Sequence, residues 1–230
     1  MKKILVLTII VLAIFIIYLT TIDKKIYYLA LGDEISLGMT ETYYEKSYTE
    51  YIKEYLEKEK KLELYQDEFR TQGYRITDII NDIKNNKEIE ETNKTIKNAL
   101  IKSDMVTISI GTNDILSKIN MINRYNYNNI KKSLEQITKD MEELLKLIRE
   151  YCKEDIILIG IYINIEDENI NNILKNENII FKEISEKYNV TYIDLYKILD
   201  SKNIYPSKED YIRISDEIIN IIENKILKDK

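Results

Sequence analysis

The chain alternates short apolar runs with longer stretches whose apolar positions recur every three or four residues. Ile26–Leu31 is apolar and aromatic throughout, as a strand covered on both faces should be. Gly32 then permits a sharp turn. Asp33 and Glu34 follow where a helix start wants an oxygen acceptor on its first free N–H groups. Over Glu45–Glu59, Tyr48, Tyr51, Ile52, Tyr55 and Leu56 form one helical stripe. Leu62–Tyr65 alternates and predicts a second strand. Phe69–Tyr74 reads as a loop around Gly73, and Ile76–Ile83 as a helix. Glu88–Ile101 reads as a further, polar helix. Asp104–Ile110 is a strong strand pattern, ended by Gly111-Thr112-Asn113-Asp114. Asn126–Tyr151 predicts a long amphipathic helix, with Ile130, Leu134, Ile137 and Met141 on its apolar side. The strand patterns Asp155–Gly160 and Val190–Leu195 flank a helix over Asn169–Tyr188, and Lys208–Leu227 predicts a terminal helix after Pro206.

Strand and helix thus alternate about five times, the pattern of a parallel sheet with helices on both faces. No repeat, internal linker or second domain interrupts it. Sheets of this kind hold ligands at the carboxyl ends of their strands, where the Gly32 turn lies.

The amino-terminal end departs from this pattern. Ile4–Ile22 is a run of nineteen residues without a charge. As a helix it spans a hydrocarbon core of about 30 Å. Its exit, Tyr18-Leu19-Thr20-Thr21-Ile22, has no small-x-small cleavage site, and no cysteine lies nearby for lipid attachment. The expectation is an uncleaved membrane anchor over residues 1–25 and one domain over residues 26–230. Lys2, Lys3 and the amino group favour a cytoplasmic N-terminus, against Lys24 and Lys25. This points to a single-pass protein of the cell membrane with its domain outside.

Charge and composition narrow the chemistry. The net charge is −6, and lysines are interleaved with glutamates along helical faces, which argues against nucleic acid as a partner. The one cysteine, Cys152, forms no internal disulfide and no metal site alone. Histidine is absent from the whole chain. That removes the commonest general base near neutral pH and the commonest metal ligand.

Four blocks together resemble the SGNH (GDSL-type) hydrolases, a family of esterases, lipases and carbohydrate deacetylases. They are Leu29-Ala30-Leu31-Gly32-Asp33, then Gln72-Gly73-Tyr74-Arg75-Ile76-Thr77-Asp78-Ile79-Ile80, then Gly111-Thr112-Asn113-Asp114, then Tyr205-Pro206-Ser207-Lys208-Glu209-Asp210-Tyr211. The resemblance runs from about Ile26 to Leu227. It implies an α/β fold, a flavodoxin-like three-layer α/β/α sandwich. It also implies site roles. The family nucleophile, a serine directly after Gly-Asp, falls on Glu34. The catalytic histidine before the proline falls on Tyr205, and the acid three residues earlier on Lys202. The oxyanion hole falls on the backbone N–H of Glu34, the N–H of Gly73 and the side-chain amide of Asn113. Gly32, Asp33, Ser36 and Asp114 complete the pocket.

All three triad positions are therefore replaced. The expectation is a domain that has lost ester hydrolysis and binds at the cell envelope, towards a glycan or an acylated polymer. One alternative is an active esterase or carbohydrate deacetylase rearranged around Glu34, Ser36 or Tyr205. Another is an oxygen-ligand site for Mg²⁺ or Ca²⁺ built from Asp33, Glu34, Asn113 and Asp114. The favoured roles are plainer: Ser36 as a first-turn hydroxyl, Asp33 and Asp114 as loop-shaping acceptors, and no metal or cofactor. Glu34 itself is expected to fold into the oxyanion hole and accept from Gly73 and Asn113. Lys202 stands either as a partner for Glu34 or as a solvated lysine.

Overall fold

The computed structural model describes residues 25–121, 127–164, 167–199 and 203–227. The apolar run 4–22 and Lys202 lie outside the described residues. Among those described, no helix is long and apolar enough to cross a membrane.

Five parallel strands form the main sheet: β1 (Ile26–Gly32), β2 (Leu62–Gln66), β5 (Met105–Ser109), β6 (Asp155–Ile159) and β7 (Thr191–Ile193). Their order is β2-β1-β5-β6-β7. The chain therefore starts near the middle, runs to one edge, and returns to build the other half. The reversal of direction at β1 and β5 opens a crevice beyond their carboxyl ends. Gly32, Ser109 and Ile159 sit in one register row at that edge.

Alternate residues of each strand feed opposite layers, because successive side chains of a strand point to opposite faces. Leu29, Leu31, Val106, Ile108, Ile156 and Leu158 enter one core. Tyr28, Ala30, Met105, Ile157 and Ile159 enter the other. The first core is closed by α3 (Ile76–Lys84), α4 (Ile96–Lys102), α6 (Tyr127–Tyr151) and α7 (Glu168–Lys187). The second is closed by α2 (Tyr48–Lys58) and α9 (Lys208–Ile221), with the short α1 (Glu34–Leu37) and α8 (Leu195–Ile198) at its rim. The three-layer sandwich with a five-stranded parallel sheet is thus the observed fold.

Some elements depart from their sequence patterns. The stretch Glu88–Ile101 is not one helix. A small hairpin, β3 (Glu88–Ile89) with β4 (Lys94–Thr95), precedes α4. Asn93 takes a positive φ of 52° at its turn, and the Thr95 side chain accepts from the Asn98 N–H as a helix cap. With no apolar residue between Ile89 and Ile96, no helical stripe exists to bury there. The helix expected from Glu45 starts at Tyr48, because Ser47 and Glu50 form a reciprocal capping box. The last strand pattern stops at Ile193, because Asp194 caps α8. The terminal helix ends at Ile221 and passes into a π-turn over Ile222–Ile226. Two helices depart from the expected elements: α5 (Thr112–Met121), which starts directly after Gly111, and the short α8. Cys152 is a free, buried thiol in the first core, consistent with a structural role.

Candidate functional site

The turn after β1 is shaped by two close backbone approaches. Gly32 has φ +142°, and a Cβ there would lie 2.2 Å from the carbonyl oxygen of Ser109. Glycine is the residue that fits, and the Asp33 N–H then donates to that same carbonyl at 3.0 Å. Asp33 caps the four-residue α1, accepting from the Ile35 N–H at 3.1 Å. The Ser36 hydroxyl donates back to the Asp33 carbonyl at 2.6 Å. Both side chains are occupied with the turn itself, as their sequence positions suggested. Gly38 ends the helix at φ +89°.

Arg70 holds this turn from below. Its guanidinium donates to the Ser36 carbonyl at 2.7 Å and to Thr49 Oγ1 at 2.9 Å, and it pairs with Asp67. The α1 carbonyl end, which lacks helical partners, thereby gains a charged donor. Sequence reading missed Arg70, because a single arginine in a loop belongs to no periodic pattern.

The second and third blocks converge on α1. The Thr71 N–H donates to the Gly32 carbonyl at 2.9 Å, which brings the loop of Gly73 alongside. Asn113, in the first turn of α5, donates through Nδ2 to the Tyr74 carbonyl at 2.9 Å. Asp114 accepts from the Ile76 N–H at 3.1 Å and so anchors the start of α3. At the centre lies Glu34, 8 % exposed. The Gly73 N–H donates to Glu34 Oε1 at 2.8 Å, and Asn113 Nδ2 donates to Glu34 Oε2 at 2.7 Å. These distances match those at which an oxyanion hole holds its charge, about 2.7–3.1 Å.

The fourth block reaches the site through its backbone. The Ile204 and Tyr205 N–H groups donate to Glu41 at 2.9 and 3.1 Å. This ties the Tyr205 loop to the segment after α1. Burial raises the Tyr205 phenol above its ordinary range, and the charges of Glu34 and Asp33 add to the effect. Glu41 carries no sequence signal for this role. Lys202 lies outside the described residues. Among the described residues no cluster of three or more potential metal ligands occurs. Asp33 and Asp114 instead each accept a backbone N–H.

Two carboxyls here are pushed up. Burial raises Asp33 well above the usual carboxylate range, and the adjacent Glu34 charge raises it further, against the Ile35 hydrogen bond. Burial raises Asp114 to about 6, opposed by the Ile76 hydrogen bond and by Arg75. An acid whose pKa is higher in the folded state binds its proton more tightly there. Its contribution is full below the ordinary pKa and is lost as pH rises through the folded value. For Asp114 that window runs from about 4 to about 6. Asp114→Asn keeps an acceptor for the Ile76 N–H and removes the ionisation. It is expected to gain stability relative to the native chain as pH rises across that window, read by urea denaturation at each pH. A difference that stays constant with pH would contradict the assignment.

In this α/β sandwich a backbone N–H from the Gly73 loop and the side-chain amide of Asn113, in the first turn of α5, converge on one point, the Glu34 carboxylate. The chain belongs to the GDSL-like lipase/acylhydrolase family, whose model matches residues 28–214. Solved structures agree on the fold. An acetylxylan esterase, Axe2 from Geobacillus stearothermophilus, superposes with a TM-score of 0.62 at 17% identity, covering 89% of this chain and 97% of that one. The lipase Lip_vut3 from a goat rumen metagenome superposes with a TM-score of 0.71 at 18% identity, covering 86% and 98%. A search of curated proteins finds no match.

Proposed function

We infer that this family member no longer hydrolyses esters and serves as a binding domain at the cell envelope. The observation that carries the reading is the Glu34 carboxylate on Gly73 and Asn113. An ester carbonyl needs those donors as its oxygen becomes an anion. To reach them it must displace a tethered carboxylate already held by two charge-assisted hydrogen bonds, which are about twice as strong as neutral ones.

The same geometry argues against Glu34 as a nucleophile. Attack by its carboxylate would form a tetrahedral intermediate whose oxyanion needs the very donors that hold Glu34. The anhydride that followed would also need a base to activate water, and the chain has no histidine. Tyr205 stands at the base position and Lys202 at the acid position. In the acetylxylan esterase, catalytic mutants alter a serine, an aspartate and a histidine.

The uncharged run Ile4–Ile22 supports a single-pass anchor that holds the domain outside the membrane. An envelope glycan or an acylated polymer is the proposed partner class. The similarity of fold to an acetylxylan esterase supports this choice. The test is an assay of the purified full chain in non-ionic detergent on p-nitrophenyl acetate, beside Glu34→Ala. No turnover above buffer is expected from either. Turnover by the native chain that disappears in Glu34→Ala would establish the rearranged-esterase alternative instead.

A further inference from the structure

The buried stripe of α7 runs through Ile170, Leu174, Glu177, Phe181 and Ile184, at the four-and-three spacing of a core-facing helix side. Every position in it is apolar except Glu177, a carboxylic acid only 5% exposed. A buried polar group is costly unless it is hydrogen-bonded, and a buried charge unless it is paired. The adjacent buried amide meets that condition. Asn178 Nδ2 donates to the Ile161 carbonyl at 2.9 Å, and its Oδ1 accepts from the Ile161 N–H at 3.0 Å. Glu177 meets it only in part. Its Oε1 accepts from the Thr138 hydroxyl of α6, its Oε2 accepts from no described residue, and no cation among the described residues pairs with it.

This acid lines a groove of about 230 Å³ between α6 and α7. The apolar wall is Leu134 of α6 with Ile173 and Ile180 of α7, and Ile180, 38% exposed, opens it to solvent. The charged groups of the lining are Glu177 and Glu135 against Lys131. An apolar cavity of about 150 Å³ holds benzene, so this volume takes a chain of about five or six heavy atoms. Burial raises the Glu177 carboxyl above its ordinary range, against the Thr138 hydrogen bond. A positive charge beside it favours the ionised form.

We propose that the groove between α6 and α7 binds a small primary alkylammonium compound, its head on Glu177 Oε2 and its short carbon chain along Leu134, Ile173 and Ile180. Each half of the ligand answers one observation. The ammonium supplies the donor and the positive charge that Glu177 lacks, in a lining with two carboxylates and one lysine. The chain covers apolar surface that the two helices leave open. An anion would meet Glu177 and Glu135, and a neutral chain would leave the buried carboxylate unpaired. Helix flanks build this site, not the loops around Glu34, so it stands or falls without the reading of Glu34.

NMR titration of the full chain in non-ionic detergent is the test, with n-butylammonium chloride as probe and 1-butanol, sodium butyrate and ammonium chloride as controls. The probe is expected to shift the backbone amides of Thr138 and Glu177 with a dissociation constant of about 1–10 mM. Each control is expected to bind at least about tenfold more weakly. Glu177→Gln keeps an acceptor for the Thr138 hydroxyl and removes the charge, and is expected to weaken the probe by about tenfold or more. Ile180→Ser, at the mouth of the groove, is expected to weaken it by about threefold or more. The proposal is overturned if 1-butanol or ammonium chloride matches the probe, or if either variant leaves its affinity unchanged. It is equally overturned if the probe shifts neither amide at about 50 mM.

Discussion

Replacing Glu34 by alanine is expected to lower the unfolding free energy by about 2–3 kcal/mol and to create a site for small carboxylates. The carboxylate satisfies two donors at once, the Gly73 N–H and the Asn113 amide. Hydrogen bonds to a charged group are worth about 1.5–3 kcal/mol each, and a buried donor left unsatisfied costs about as much. Two effects hold the loss below the sum. The position is 8 % exposed, so water can enter the vacated space. Removing the Glu34 charge also relieves Asp33, whose ionisation that charge opposes.

The vacated hole then presents two converged donors and no anion. Acetate or formate is expected to bind there and restore stability, by about 2.7 kcal/mol at a hundredfold excess over its dissociation constant. The comparison is urea denaturation with sodium acetate against sodium chloride at equal ionic strength, in the native chain and the variant. Acetate should stabilise Glu34→Ala and leave the native chain unchanged. An equal response in the two would mean that the donors are not the acetate site. Glu34→Ser is expected to show the same response without ester turnover, since the chain has no histidine to serve as its base.

Gly32→Ala is expected to cost more than about 3 kcal/mol or to prevent folding altogether. The added Cβ falls 2.2 Å from the Ser109 carbonyl, a backbone atom of the neighbouring strand. Gly32 and Ser109 are register partners, so relief requires moving β1 away from β5 at the centre of the sheet. The backbone also stands at φ +142°, where a side chain is strained in any case. Gly73→Ala supplies the comparison. Its φ is +80°, yet a Cβ there meets nothing within 4 Å. Only the conformational cost remains, about 1–2 kcal/mol. Chemical denaturation of the two variants measures the difference. Equal losses would show that strain rather than the strand contact governs the turn.

Much of the fold was legible because it rests on local pattern. The strands β1, β5 and β6 are apolar on both faces, and α6 carries its stripe at Ile130, Leu134, Ile137 and Met141. These periodicities follow from the geometry of strands and helices, so they survive without tertiary information. The failures fell where the pattern was thin. Glu88–Ile101 holds too few apolar residues to tell helix from hairpin, and the Thr95 cap decided it. The boundaries at Tyr48 and Ile193 were set by caps of one or two hydrogen bonds, which apolar spacing does not record.

The candidate site divides in the same way. Glu34, Gly73 and Asn113 could be named in advance, because each stands at a matched position of one of the four blocks that carry the family resemblance. Arg70 and Glu41 could not. Arg70 acts on Ser36 and Thr49, and Glu41 on Ile204 and Tyr205, across separations that only the folded chain closes.

By itself, the sequence determined the class of fold, the place of the turn and the residue types at it, since periodicity and residue identity are local properties. The tertiary structure alone decided where the Glu34 carboxylate goes. Its position depends on two donors 39 and 79 residues away: the Gly73 N–H at 2.8 Å, brought alongside by the Thr71–Gly32 hydrogen bond, and the Asn113 amide at 2.7 Å, brought there by the parallel register of β1 and β5. In sequence Glu34 is only a glutamate after Gly-Asp; in the folded chain its side chain is held between the Gly73 N–H and the Asn113 amide.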